Sequence, residues 1–142
     1  MKRTQLLDVI SRKLAPFVML FGFYLIAYAY RSPGGGFQGG VVIASGVILL
    51  ALGREIHDVE RLFPIESLHV GEIAAFAGIL LVAFAGLFIG GVILAYPEGG
   101  AEGARRFLFL LNLLIGVKVG TGVTLLSLTL FEDDQQIGRA HV

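Results

Sequence analysis

The sequence predicts an all-α integral membrane protein with about four transmembrane helices and both termini in the cytoplasm. Its 142 residues are 56% hydrophobic, with a mean hydropathy of +0.82, whereas soluble domains hold roughly 45–50% apolar residues. The apolar residues gather into four long runs, and the lysines and arginines are divided unequally between the connections. The whole chain, 1–142, is therefore expected to form a single membrane domain.

Each of the four runs is close to the length that crosses a bilayer, for which roughly 20 residues are needed. Polar connections at 54–70 and 97–106 follow the second and the third run, and each contains a proline, which favours a helix boundary. No internal repeat and no domain-sized polar segment interrupts the pattern. The predicted spans are residues 14–30, 37–53, 73–96 and 107–131.

The positive charges near the span ends indicate the orientation, because cytoplasmic connections are enriched in Lys and Arg. One side of the predicted spans carries seven of them, at the N-terminus, in the connection 54–70 and in the C-terminal tail. The other side carries only Arg31, Arg105 and Arg106. We therefore expect both termini in the cytoplasm and the turn 31–40 on the outer side.

Charge and composition exclude several functions. The formal net charge is zero, so there is no basic surface typical of nucleic-acid binding. The chain has no cysteine, which excludes disulfides, thiolate nucleophiles and cysteine-bound metal clusters. His57 and His69 in the connection 54–70 do not follow any metal-binding spacing. We therefore expect no cofactor, no metal site and no enzymatic activity of the chain by itself.

The turn between the first two spans is unusually rich in glycine and reads RSPGGGFQGG. Residues 34–39 fit the G-x-G-x-x-G pattern of dinucleotide-binding loops, but that motif requires a preceding strand, and here a membrane span precedes it. Two interpretations stay open: a tight outward hairpin made of turn-forming residues, or a backbone surface packed against other protein. The residues concerned are Pro33, Gly34, Gly35, Gly36, Phe37, Gly39 and Gly40.

The residue count favours the second interpretation. Between Lys13 and Arg54 only Arg31 is charged, which leaves 40 positions for two crossings of about 20 residues each. The turn should therefore lie at headgroup depth or below it, where irregular backbone must be covered by protein or by a water-filled cavity. Gln38 adds two donors and an acceptor, as a network buried between helices would need.

With this turn and the late segment NLLIGVKVGTGV (112–123), the chain resembles the B subunit of the Mrp (also Mnh or Pha) multisubunit cation/proton antiporters of prokaryotic cell membranes. Close relatives of that subunit also occur in the Mrp-like modules of archaeal membrane-bound hydrogenases and sulfur-reducing complexes related to respiratory complex I. The resemblance covers about residues 14–131. It implies a membrane subunit that contributes to Na⁺ and H⁺ translocation together with other hydrophobic subunits.

Lys118 is the strongest single candidate for a role in the ion path. It lies near the middle of the span 107–131, roughly 16 Å from either interface, where a lysine cannot reach the headgroups. An ionisable group at this depth indicates function or a structural ion pair, and both interpretations stay open. Glu72 is expected at the start of the third helix, favoured there by the helix dipole, and too far in depth to meet Lys118.

We therefore expect Lys118 to meet a carboxylate, a carbonyl group or water where the chain borders another protein of the assembly. Thr121, Glu72 and Gln38 complete the ion-path candidates. At 100° per residue, Lys118 and Thr121 share one face of the last span, whereas Asn112, Gly116 and Gly120 lie on the opposite face. The spacing Gly116-x-x-x-Gly120 permits close helix contact, so both faces are expected to touch protein.

Three functions compete at this point. The first is a non-catalytic subunit of an Mrp-type assembly, either a stand-alone antiporter or the antiporter module of a redox-driven ion pump such as a membrane-bound hydrogenase. The second is an independent homo-oligomeric ion transporter or channel, which would be expected to show inverted repeats. The third is a redox or enzymatic subunit. The predicted spans of this sequence offer no nucleophile with a base, no set of metal ligands and no haem ligand for such a role.

Overall fold

A computed structural model describes residues 5–31, 35–94 and 100–140, with nothing described of the side chains of 134–140. Within these residues the chain forms five α-helices and no strand. Four of the helices are long and apolar enough to cross a membrane, which confirms the predicted fold class. The helices are α1 (Gln5–Ala27), α2 (Gly35–Gly53), α3 (Ile56–Leu62), α4 (Ile65–Gly90) and α5 (Gly100–Ala140).

The observed helices are displaced from the predicted spans. Helix α4 begins at Ile65 rather than at 73 and ends at Gly90 rather than at 96, although residues 95–99 lie outside the described part. Gly91, with φ +70°, then adopts the left-handed conformation, and its N–H donates to the Leu87 carbonyl. Helix α5 likewise begins at Gly100 rather than at 107. Hydropathy marks where a helix is apolar, whereas backbone hydrogen bonding continues into the polar residues beside it.

Helix α2 is the centre of the bundle. It packs between α1 and α5, and α4 lies on the far side of α5. The short helix α3 rests against the ends of α2 and α5. The tightest apolar cluster lies beside α3, where burial is nearly complete, and comprises Ala15, Val47, Leu50, Ala51, Val59 and Leu128.

The contacts fix the direction of each helix. Gly22 of α1 lies beside Gly39 of α2, and Gly53 at the end of α2 lies beside Ser11, so α1 and α2 are antiparallel. Helix α5 runs parallel to α2 and antiparallel to α4. The bundle therefore has a turn end, which comprises residues 28–31, 35–36, 90–94 and 100–106, and a terminal end, formed by α3 and the starts of α1 and α4.

Helix α2 begins beside an interior position of α5 rather than beside its first turn. Its first turn lies beside Asn112, which is about 18 Å along α5 from Gly100 at 1.5 Å per residue. Helices α4 and α5 therefore extend well beyond the start of α2 at the turn end. This displacement accords with the shortage of residues that the sequence shows between Lys13 and Arg54.

Candidate functional site

An ion pair joins two spanning helices near one third of the length of α4. Lys118 on α5 donates a hydrogen bond from Nζ to Oε1 of Glu72 on α4 over 2.9 Å. The other salt bridges among the described residues each join positions three or four apart on a single helix. The bundle thus holds an inter-helical charge pair between two apolar spans.

The prediction that Glu72 is out of reach of Lys118 was wrong. The polar residues before Glu72 continue helix α4 back to Ile65, so Glu72 lies about 10 Å inside the helix at 1.5 Å per residue. Helix α5 runs antiparallel at a register that sets Lys118 opposite this turn. The lysine consequently finds its carboxylate within the same chain rather than on a neighbouring protein.

Small residues make room for the pair. A Cβ placed on Gly122 would lie 3.3 Å from Oε1 of Glu72, so a side chain there would press on the carboxylate. One turn of α4 away, the Phe76 ring lies 5.6 Å from Nζ of Lys118, within the range of a cation–π contact. The Lys118 ammonium group therefore contacts both the Glu72 carboxylate and the face of the Phe76 ring.

The pair is only partly covered by its own chain. The side chains of Lys118 and Glu72 are 36% and 32% exposed, and the neighbouring Ile73 on α4 is more exposed still, at 67%. Hydrocarbon is a costly environment for charged groups. The open side of the pair is therefore a surface for water or for another protein, and not for lipid chains.

Two predicted companions form no hydrogen bond with the side chains of the ion pair among the described residues. The Thr121 hydroxyl donates to backbone carbonyl groups of its own helix, at 2.7 Å to Val117 and 3.2 Å to Lys118. Gln38 lies on an exposed part of α2, so the helices of its own chain do not bury it. Glu72 and Lys118 are thus the members of the predicted set that the structure brings together.

The second predicted feature, the glycine segment, forms helix rather than irregular backbone from Gly35 onwards. Helix α2 begins at this residue, whose φ of +58° is left-handed. The N–H of Gly36 donates to Oδ1 of Asn112 over 2.8 Å, while Nδ2 of Asn112 donates to the Leu108 carbonyl. An amide on α5 therefore satisfies a donor that the start of α2 would leave unpaired. Pro33 and Gly34 lie outside the described residues.

Glycines bring α2 into backbone contact with both neighbours. A Cβ on Gly40 would lie 2.6 Å from the carbonyl oxygen of Gly116 and 3.0 Å from the nitrogen of Gly120. On the other side of α2, a Cβ on Gly39 would lie 2.7 Å from the Gly22 carbonyl oxygen. The sequence indicated that the glycine turn and the Gly116/Gly120 face pack closely against protein, but not that they meet each other, and the role of Gly22 in α1 was missed.

Asn112, Gly116 and Gly120 contact α2, and Lys118 contacts α4. Both faces of the last helix therefore contact other helices of the same chain. Phe37, by contrast, is 60% exposed on α2. In the part of the chain that the structure describes, no group of three or more His, Asp or Glu side chains could hold a metal ion.

These features define a multi-pass membrane protein in which one helix carries a glycine contact on one face and an inter-helical ion pair on the other. The chain belongs to the MnhB family: a model described as "Domain related to MnhB subunit of Na+/H+ antiporter" matches residues 6–125. The match includes the glycine segment and both members of the ion pair. The resemblance found in the sequence is thereby confirmed.

Three relatives illustrate the similarity. Over 87 residues the chain is 36% identical to the B subunit of a Na⁺/H⁺ antiporter of Bacillus subtilis, covering 61% of this chain and 58% of that protein. It is 40% identical over 63 residues to the "Putative antiporter subunit mnhB2" of Staphylococcus haemolyticus, with 42% and 45% covered. The match thus spans about half the length of these two relatives. The corresponding Na⁺/H⁺ antiporter protein of Alkalihalophilus pseudofirmus matches at 28% identity, with 91% of this chain and 93% of that protein covered.

Proposed function

We propose that the chain is a non-catalytic subunit of an Mrp-type Na⁺/H⁺ antiporter assembly in a prokaryotic cell membrane. Membership of the MnhB family supports this assignment, and the partly exposed ion pair of Lys118 and Glu72 is the observation that carries it. An ion pair open on one side within an apolar helix pair needs a polar neighbour or water. The other membrane subunits of such an assembly would supply it.

Co-purification from native membranes tests the assignment. A tagged copy expressed in its own host should bring down several larger hydrophobic proteins in fixed stoichiometry. Antiporter subunits alone would identify a stand-alone antiporter, and hydrogenase or sulfur-reductase subunits would identify a redox-driven pump. If the purified chain alone exchanged Na⁺ for H⁺ in liposomes, it would instead be an independent homo-oligomeric transporter.

We further propose that the ion pair lies on the ion path rather than serving only to join α4 to α5. Replacing one partner leaves the other charge uncompensated, so Lys118→Met and Glu72→Gln alone should each impair assembly or antiport. The double variant removes both charges and separates the two roles. If the pair is purely structural, the double variant regains assembly and antiport together. If the pair lies on the ion path, the double variant regains assembly but not antiport.

The chain offers a matched control for this experiment. Arg12 and Asp8 form a salt bridge of 2.8 Å within α1 at the terminal end, with 54% and 31% of their side chains exposed. Exposed pairs of this kind contribute little to stability, because water screens the two charges. Arg12→Met and Asp8→Asn, singly or together, should therefore leave both assembly and antiport unchanged.

We propose the orientation with both termini in the cytoplasm, supported by the excess of Lys and Arg at the terminal end. Because the chain has no cysteine, a single introduced cysteine can be labelled without background. In intact cells a membrane-impermeant maleimide should label Ala101→Cys at the turn end and spare His57→Cys in α3. The reverse pattern would show that the termini lie outside.

A further inference from the structure

Two arginines flank one aromatic ring at the turn end, away from the ion pair of Lys118 and Glu72. The guanidinium carbon of Arg31 lies 5.5 Å from the centroid of the Tyr30 ring, and that of Arg105 lies 5.1 Å from it. Arg106 follows Arg105 on α5. The Tyr30 ring thus restrains two guanidinium groups that would otherwise repel one another.

The charge at this position is not balanced by the surrounding described residues. Glu102 is the acidic side chain there, and its carboxylate oxygens lie 3.9 Å from Arg105 and 3.4 Å from Arg106. Among the described residues this one carboxylate pairs with Arg105 and Arg106 but not with Arg31, which leaves an excess of positive charge. An anion bound here would offset the repulsion.

A cavity of about 420 Å³ lies beside these groups. Its polar wall is formed by Tyr28, Tyr30, Arg105, Arg106 and the Glu102 that pairs with both arginines, and its apolar wall by Ala27 and Phe109. The apolar wall continues along α5 into the hydrophobic run, where the side chains on either side of Phe109 are also more than 40% exposed. The cavity is therefore cationic towards the helix ends and apolar towards the middle of the span.

We propose that this cavity binds a phosphate group, and that the headgroup of an anionic phospholipid supplies it. The guanidinium forks match phosphate oxygens in charge and geometry. The continuous apolar wall fits the start of an acyl chain, which a free phosphate ion does not have. Arginine and tyrosine side chains together are typical of the level at which headgroups lie.

Lipid retention by the purified assembly tests the proposal. After detergent extraction and washing, phosphatidylglycerol bound per chain is measured by mass spectrometry for the unaltered protein and for Arg105→Gln/Arg106→Gln. Losing the charged hydrogen bonds should lower the phosphatidylglycerol retained at this site by about tenfold. The control is Arg12→Gln/Arg61→Gln, which removes the same charge at the terminal end and should retain lipid as the unaltered protein does.

Two further measurements distinguish loss of the site from misfolding, and a lipid headgroup from free phosphate. Tyr30→Leu preserves every arginine but removes the ring that two of them contact. Lipid retention should therefore fall, but by less than in the double arginine variant. This graded loss would distinguish a weakened site from a misfolded protein. Phosphatidylglycerol, but not inorganic phosphate alone, should raise the melting temperature of the unaltered assembly. Stabilisation by inorganic phosphate without any effect of lipid would overturn the lipid source. The site itself would be overturned if Arg105→Gln/Arg106→Gln retained as much phosphatidylglycerol as the unaltered protein. It would also be overturned if that variant lost a protein subunit while retaining the lipid.

Discussion

Replacing Gly40 by alanine should separate α2 from α5. The new Cβ would lie 2.6 Å from the Gly116 carbonyl oxygen, 3.0 Å from the Gly120 nitrogen and 3.0 Å from the Val119 Cβ. Two of these three atoms belong to the backbone, so no side-chain rotation relieves the contact. The helices must move apart by several tenths of an ångström, and overpacking of this kind costs about 1–3 kcal/mol.

Gly120→Ala is the matched control, because it lies in the same contact on the opposite helix. Its Cβ would meet the Gly40 carbonyl oxygen at 3.4 Å, which is ordinary contact. Alanine in place of glycine favours a helix by about 1 kcal/mol in both variants. The difference between the two variants therefore isolates the effect of packing from that of helix propensity.

Thermal unfolding of the detergent-solubilised assembly, followed by size-exclusion chromatography after heating, measures this difference. At about 3 °C per kcal/mol for a chain of this size, Gly40→Ala should melt on the order of 6 °C below Gly120→Ala. Equal melting temperatures would refute the view that α2 and α5 meet through their backbones at Gly40. So would a larger loss in Gly120→Ala than in Gly40→Ala.

Two further substitutions test the cap of α2 and the room around the ion pair. Asn112→Leu removes the oxygen that accepts from the Gly36 N–H and should lower the free energy of unfolding by about 1–3 kcal/mol in the same melting assay; an unchanged melting temperature would contradict the capping role of Asn112. Gly122→Ala places a Cβ 3.3 Å from Oε1 of Glu72 and should lower antiport in membrane vesicles more than it lowers the amount of assembled complex; an equal loss of both would contradict a specific effect on the carboxylate.

The four spanning helices were predictable because a bilayer sets their length and their apolar composition. The two faces of α5 were predictable for a related reason, since a 100° rotation per residue separates its glycines from its lysine. The partner of Lys118 was not predictable. Hydropathy starts the third span at 73, whereas hydrogen bonding starts α4 at Ile65, and the register between α4 and α5 depends on packing that no local pattern records.

The glycine turn shows the same division between local and distant causes. The displacement of α2 along α5 accords with the number of residues between Lys13 and Arg54. The conformation of the turn was not predictable, because irregular backbone was expected where helix α2 in fact begins at Gly35. The difference lies in Asn112, far along the chain, whose oxygen accepts the hydrogen bond that the first turn of a helix cannot make internally.

The glycine contact and the ion pair are coupled by their spacing on α5. Lys118 stands two residues from both Gly116 and Gly120, which is about 200° around the helix in either direction. Pressing the two glycines against α2 therefore turns the lysine towards α4, where Glu72 receives it. A side chain that forced α5 away from α2 would move Lys118 relative to Glu72 as well. The segment GVKVG thus sets the position of the charge through the close approach of two backbones.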